Sequence, residues 1–142
     1  MNQWDEFRIE RTILKIGMFL AAKRNSHLSQ LGLTASQSEA LLFIHDNPNS
    51  NITCLKAHLK ISHQAARVLV ERLKDKDLVV VNMGEKDSRS RLVSLSNQGE
   101  LLHEQLVQQG QAVGAHLLEA LSTEETSQLD ELLDKISTSM KV

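Results

Sequence analysis

The sequence contains few of the residues that cross-link or interrupt a polypeptide chain. Its 142 residues include one cysteine, one proline, six glycines and no tyrosine. A single cysteine cannot form an internal disulfide, and the scarcity of proline and glycine favours long helices. Aromatic residues make up only 3% of the chain. The core is therefore expected to consist mainly of Leu, Ile, Val and Ala, a composition suited to helices.

Long apolar runs are missing as well. No apolar run reaches the roughly 20 residues that a bilayer-spanning helix needs. The first residues, Met-Asn-Gln-Trp-Asp-Glu, are polar and acidic, unlike the basic start of a secretion signal. Together with the lone Cys54, these features predict a cytoplasmic protein without a membrane partner.

Charge is distributed unevenly along the chain, although its formal net value is only −2. Residues 51–91 carry nine Lys/Arg and five Asp/Glu, whereas residues 92–142 carry two Lys/Arg and eight Asp/Glu. Residues 1–50 carry five of each. A basic middle segment is consistent with an anionic partner, although chance clustering would give the same pattern.

Apolar spacing predicts helices at both ends of the chain. Apolar residues recur at three- and four-residue intervals over 6–24 and 97–121, which indicates helices with one inward face. Thr34 and Gln37 have the spacing of a capping box that begins a second helix. The Ser122-Thr123-Glu124-Glu125 segment repeats this signature before a last helix.

The middle of the chain combines two short helices with a hairpin. Helical spacing extends over 53–59 and 63–75, joined by only three residues, which is typical of a helix-turn-helix. The β-branched stretch 78–81 and the stretch 91–95 then predict two strands around a polar, glycine-containing tip. This order predicts a winged helix-turn-helix.

Several short segments resemble the MarR family of transcription regulators. The most specific are Asp87-Ser88-Arg89, which is similar to the family's Asp-x-Arg wing tip, and Leu95-Ser96-Asn97-Gln98-Gly99, which is similar to its Leu-Thr-x-x-Gly helix start. The other matching pieces are Leu33-Thr34-Ala35-Ser36-Gln37, Ile61-Ser62 and Arg72-Leu73-Lys74-Asp75-Lys76.

The resemblance implies both a fold and a function. It implies a mainly α fold with a small β-hairpin wing, in which 34–96 bind DNA and the helical parts 1–33 and 97–142 form a homodimer, all within one domain, 1–142. It further implies a repressor that binds a pseudo-palindromic double-stranded operator and is released by a small-molecule effector.

Helix 63–75 is the predicted recognition helix. The first turn of such a helix reaches base edges, so His63, Gln64 and Arg67 are the candidates for base contact, and Gln64 and Arg67 could pair with adenine and guanine. Ser62 could hold a phosphate at the helix start. A solvated helix face is the alternative. The full set of predicted DNA-binding residues is Ser62, His63, Gln64, Ala65, Arg67, Arg72, Lys86, Asp87, Arg89 and Arg91.

Two of these residues limit what the resemblance can transfer. Ala65 and Arg67 stand where small hydroxyl residues are common in the family, so the operator sequence cannot be carried over. In the wing, Arg89 is expected in an A·T-rich minor groove, with Asp87 holding it in shape and with Lys86 and Arg91 on phosphates. The alternative is an ordinary charged hairpin tip.

Other residues have weaker functional interpretations. Met18, Phe19, Phe43 and Met83 could line an effector crevice, but a place in the core is favoured. Cys54 could sense oxidants, but structural packing is favoured.

Neither a metal site nor catalysis is predicted. His58 and His63 are five residues apart and His103 and His116 thirteen apart, which matches no metal-binding spacing. Phosphate-loop and nucleophile motifs are missing too, so an enzyme has little support and no cofactor is expected. The chief alternative function is a winged-helix protein-interaction module without DNA binding, which the overall acidity favours.

Overall fold

The computed structural model describes residues 2–83 and 91–142, which contain six helices and three strands. The helices are α1 (Gln3–Leu31), α2 (Ala35–Asp46), α3 (Ile52–Leu59), α4 (His63–Asp75), α5 (Asn97–Leu117) and α6 (Thr123–Met140). The strands are β1 (Ser50–Asn51), β2 (Val79–Met83) and β3 (Arg91–Leu95). None of the helices in the two described ranges has the length and apolarity that a membrane span requires. The predicted mainly α fold with a β-hairpin is confirmed.

The first helix is longer than the sequence pattern indicates. α1 begins at Gln3 because Asn2 and Asp5 form a capping box, and it continues past residue 24 to Leu31. Leu28 extends the apolar spacing and is buried. Gly32 ends the helix with a φ of 70° and donates its backbone N–H to Leu28 and Ser29. That left-handed conformation favours glycine.

The predicted caps of the other helices are confirmed. Thr34 Oγ1 accepts from the Gln37 N–H at 3.1 Å while the Gln37 side chain accepts from the Thr34 N–H. Ser122 and Glu125 form the same reciprocal pair before α6. Each of these pairs satisfies two backbone donors that a helix start leaves without a partner. α5, in contrast, ends at Leu117 and not at 121, since 118–120 form a turn.

One hydrophobic cluster joins the helix-turn-helix to the sheet. The inner faces of α2 (Ala40, Leu41, Ile44) and α4 (Ala66, Leu69, Val70, Leu73) are buried and have helical spacing. Leu28 and Leu33 flank α2 in this cluster, and Leu55, Leu78, Val79 and Val93 complete it. The core of the described chain is thus aliphatic, as the composition predicts.

The sheet is antiparallel, with strand order β1-β3-β2. Val79 pairs with Leu95 and Met83 with Arg91, so the predicted hairpin strands are confirmed, with the first extended to Met83. β1 was not predicted because its two residues are too few for a period-two pattern.

The connection from α4 to the sheet and on to α5 is tightly packed. Ser96 Oγ donates to the Asp77 carbonyl at 2.6 Å and accepts from the Gly99 N–H at 3.0 Å. Gly99 lies so close to the Leu78 backbone that an added β-carbon would be 2.1 Å from the Leu78 oxygen. The Leu-Ser-x-x-Gly segment therefore has a structural basis in this close approach.

A single ammonium group connects three helices. Lys76 follows α4, and its Nζ donates to the Gly32 carbonyl at the end of α1 and to Gln37 Oε1 in the first turn of α2, the latter at 2.9 Å. Gln37 is itself buried. This contact fixes the end of α4 against the α1–α2 connection.

Contacts divide the described chain into two compact units, up to Gln109 and from Gly110 to Val142. The first holds the hydrophobic cluster and the sheet. The second contains α6, in which no residue is buried. The large hydrophobic side chains that α6 exposes are Leu132, Leu133, Ile136 and Met140.

Candidate nucleic-acid interface

The local sequence explains why α4 begins where it does. Ser62 has an extended backbone, and its Oγ accepts from the Ala65 N–H at 3.1 Å, so Ser62 is the N-cap of α4. The preceding turn is reversed by Lys60, which has a φ of 56°. The Ile61 N–H then donates to the Lys56 carbonyl. The start of α4 is thereby held in a fixed position next to α3.

The predicted DNA-contacting residues at the start of α4 are on its outer face. Ser62, His63, Gln64, Ala65 and Arg67 are all exposed. The opposite face of the same helix is buried, so α4 presents one well-defined outer face. Whether these side chains touch DNA stays a prediction.

An open crevice follows the outer face of α4 and has a volume of about 600 Å³. It is lined by Gln64, Arg67, Val68, Glu71, Arg72 and Asp75. Arg72 is exposed here, and the two arginines are accompanied by two carboxylates. The net positive charge of this face therefore lies in its first half, at Arg67. In the second half, Glu71 and Asp75 offset the charge of Arg72 and would repel phosphates.

Arg91 has a partner that sequence inspection missed. Its Nη1 lies 3.3 Å from Glu71 Oε1, so the first residue of β3 is joined to the middle of α4. Both side chains are about half exposed. Arg67 and Glu71 are four residues apart, a spacing that points to the same helix face, but only the fold brings Arg91 to that face.

The wing-tip predictions concern Lys86, Asp87 and Arg89. All three lie outside the described residues. The strands that lead into and out of the tip are described, and Arg91 fixes the second of them beside α4. The base of the wing and the recognition helix are thus adjacent.

The predicted buried positions of Met18, Phe19, Met83 and Cys54 are wrong, whereas that of Phe43 is not. Met18, Phe19 and Met83 are exposed and not part of the core, whereas Phe43 packs against it and stacks on His58 at 4.5 Å between ring centroids. Cys54 is exposed in the first turn of α3, because the inward face of that short helix is provided by Leu55. Structural packing therefore does not explain Cys54.

Two histidines and a glutamate meet where the spacing gave no indication of a site. His45 at the end of α2 has its Nδ1 2.9 Å from Glu100 Oε2, and its ring stacks on His103 with 3.6 Å between centroids. Burial, and next the neighbouring His45, lower the pKa of His103, while Glu100 and Asp46 act in the opposite direction. The cluster joins α2 to α5.

Comparison with known proteins defines the class to which this fold belongs. A family model described as MarR family matches residues 31–90, from the end of α1 through the wing tip. Among curated protein sequences there is no significant match. The architecture described above is a winged helix-turn-helix.

Solved structures support the same class. MarR from E. coli in its apo form is 29% identical, with 89% of this chain and 94% of that chain covered and a TM-score of 0.75. FabT from Streptococcus pneumoniae, in complex with DNA, is 15% identical, with 96% and 97% covered and a TM-score of 0.87. A point mutant of MepR from S. aureus, bound to an oligodeoxyribonucleotide, is 22% identical, with 93% and 97% covered and a TM-score of 0.69. The chain is thus similar to the MarR family of transcription regulators over residues 31–90 and shares the fold of these solved structures.

Proposed function

We propose that the chain is a homodimeric repressor that binds a pseudo-palindromic DNA operator through α4 and the wing and leaves it when a small-molecule effector binds. The observation that carries the proposal is the two-sided character of α4. Its inner face is buried, while Ser62, His63, Gln64 and Arg67 are exposed on its first two turns.

The chemistry of these residues fits double-stranded DNA. Arg67 can donate two hydrogen bonds to guanine, and Gln64 can both donate to and accept from adenine. Ser62 and the free N–H groups beside it suit a phosphate oxygen. Arg72 lies farther along the helix and, like Arg91 at the wing base, suits the DNA backbone more than the bases.

The wing supplies the second predicted contact. Arg89 would enter the minor groove, where A·T-rich sequence concentrates negative potential, with Asp87 holding its guanidinium and Lys86 on a phosphate. That FabT and a MepR mutant of the same fold were solved with DNA supports a DNA partner for this chain too.

Exposed apolar residues support the homodimer. α1 buries only Leu28, while Trp4, Phe7, Ile13 and Phe19 are 45–77% exposed. α6 has no buried residue, although Leu132, Leu133, Ile136 and Met140 follow one stripe. Exposed apolar residues on each of these helices mark an association site, and two copies would present two recognition helices to one duplex.

The proposed effector site lies on α1. Met18 and Phe19 are exposed apolar side chains on α1. They could line a crevice for a small apolar molecule once a second copy covers the helix. Binding there would change the separation of the two recognition helices and so release DNA.

Selection of bound sites from a random duplex pool tests the proposal most directly. The expected result is an enriched sequence with two inverted half-sites whose centres lie about one helical turn apart. Binding should weaken steeply as salt rises, since phosphate contacts release counterions. Failure to retain any duplex at low salt would instead favour the protein-interaction module.

A further inference from the structure

The His45, Glu100 and His103 cluster has the composition and compactness of a metal site. Each side chain offers one ligand atom, and the three atoms lie within 4.8 Å of one another. Ligands of one tetrahedral Zn²⁺, at about 2.0–2.2 Å from the ion, are separated by little more than 3 Å. To bind one ion, the two imidazole rings would have to rotate out of their stacked arrangement, in which their planes differ by 12°, so that a nitrogen of each ring points at the ion.

The placement of the ligands on the helices favours chelation. Glu100 and His103 are three residues apart on α5, so one helical turn presents both on the same side. His45 comes from the last turn of α2, 55 residues away in sequence from Glu100. Ligands supplied by two elements are already brought together by the fold, so binding an ion does not have to order the chain.

The surroundings of the cluster suit a cation. An open crevice of about 570 Å³ gives access, and Glu104 lines it beside the three ligands. Asp46 acts electrostatically on His103 and adds a further carboxylate to the neighbourhood. Water can also reach the crevice, which leaves room for the solvent ligands that a site with three protein ligands needs.

We propose that His45, Glu100 and His103 bind a divalent first-row transition metal ion, for which Zn²⁺ is the reference. Two imidazoles and one carboxylate select such ions over Mg²⁺ and Ca²⁺, which prefer oxygen ligands. The bound ion joins the end of α2 to the start of α5, and it stabilises the folded chain because the unfolded chain has no such site.

The test measures Zn²⁺ binding by competition with a chromophoric chelator, using the full-length protein. The exposed thiol of Cys54 is a competing zinc ligand, so all variants carry Cys54→Ser. The expected result is one Zn²⁺ bound per chain. The affinity for Zn²⁺ should be at least tenfold lower in His103→Gln and in His45→Gln. Mg²⁺ at the same concentration should not compete.

His116→Gln is the matched control. His116 is another histidine of α5, and it is also paired with a glutamate, Glu119, at 3.4 Å, but it lies outside the cluster. Zinc binding should be unchanged in this variant. Far-ultraviolet circular dichroism and thermal unfolding in EDTA confirm that each variant is folded before its affinity is compared.

A second readout separates a metal site from a plain ion pair. Zn²⁺ should raise the unfolding temperature of the Cys54→Ser protein but not that of its His103→Gln derivative, and Co²⁺ should give a visible absorption band only in the former. Undiminished zinc affinity in His103→Gln would overturn the proposal. So would the lack of binding by the Cys54→Ser protein, which would leave a His–Glu ion pair with a stacked ring.

Discussion

The backbone oxygen of Leu78 occupies the space that a side chain at residue 99 would need. An added β-carbon on Gly99 would lie 2.1 Å from that oxygen and 3.1 Å from the Leu78 carbonyl carbon. The oxygen is held in place because it also accepts the N–H of Ser96 at 3.0 Å. The approach of α5 to the β2 end of the hairpin therefore depends on glycine.

Gly99→Ala should destabilise the protein by about 1–3 kcal/mol, the usual cost of forcing atoms into a packed region. The matched control is Gly110→Ala in the same helix, where an added β-carbon meets no atom within 4 Å. That change should stabilise the protein by about 0.8–1.0 kcal/mol, since alanine favours helix over glycine. Urea unfolding compares the two, and equal shifts would contradict the close contact.

Substitutions at Ser62 should separate helix capping from phosphate binding. Ser62→Ala removes the 3.1 Å cap to Ala65 and should cost about 0.5–2 kcal/mol of stability. Ser62→Asp keeps a capping oxygen and should hold stability near that of the parent, but it places a negative charge where a phosphate is proposed.

DNA affinity should therefore follow the opposite order to stability. Ser62→Asp should bind the selected operator about tenfold or more weakly than Ser62→Ala, although it is the more stable of the two variants. Fluorescence anisotropy with a labelled duplex measures the affinities. Equal affinities would mean that Ser62 only caps the helix.

Glu71→Gln should increase DNA affinity. The substitution frees Arg91 from its 3.3 Å ion pair and removes one negative charge from the outer face of α4. Because the pair is half exposed, its loss should change stability by no more than about 1 kcal/mol. Glu131→Gln, which removes a charge from α6, is the control. Unchanged binding at low salt after Glu71→Gln would place Arg91 away from phosphate.

Arg89→Ala tests the wing. Loss of one cationic contact in the minor groove should weaken operator binding and lower the slope of log affinity against log salt by up to about 0.9. Lys135→Ala on α6 removes the same charge and should leave the slope unchanged. An Arg89→Ala protein with the parent's affinity and slope would show that the wing assignment is wrong.

Ile136→Lys tests the role of α6 in the homodimer. Ile136 is 47% exposed in the single chain, and a lysine buried at an apolar interface would lose its hydration. We expect a dissociated chain by analytical ultracentrifugation and weaker operator binding. Thr138→Lys, on the polar side of the same helix, should stay dimeric. A dimeric Ile136→Lys protein would exclude this stripe from the interface.

Local patterns predicted most of the secondary structure. The spacing of Leu69, Val70 and Leu73 and the cap at Ser62 depend on neighbours within one helix, so the sequence alone reveals them. The same holds for the hairpin, whose β-branched residues are consecutive. The apolar spacing of the first helix was followed only to residue 24, whereas the buried Leu28 and the left-handed Gly32 show that the helix continues to Leu31.

Contacts between distant segments were beyond local patterns. The predicted recognition residues were placed by family resemblance together with α4's period, but the Arg91–Glu71 pair joins residues 20 apart. His45 and Glu100 are 55 apart, so spacing rules for metal ligands could not connect them. Short-range rules also misjudged Cys54, since a helix of eight residues has room for few inward positions.

The hydrogen bonds of Lys76 couple the position of α1 to that of α4. One ammonium group holds the end of α1, the first turn of α2 and the end of α4 together. If the end of α1 is displaced, either the end of α4 moves with it or the Lys76–Gly32 hydrogen bond breaks. A change at the end of the long first helix could thus alter the orientation of α4, the proposed DNA-binding helix, without contacting its outer face.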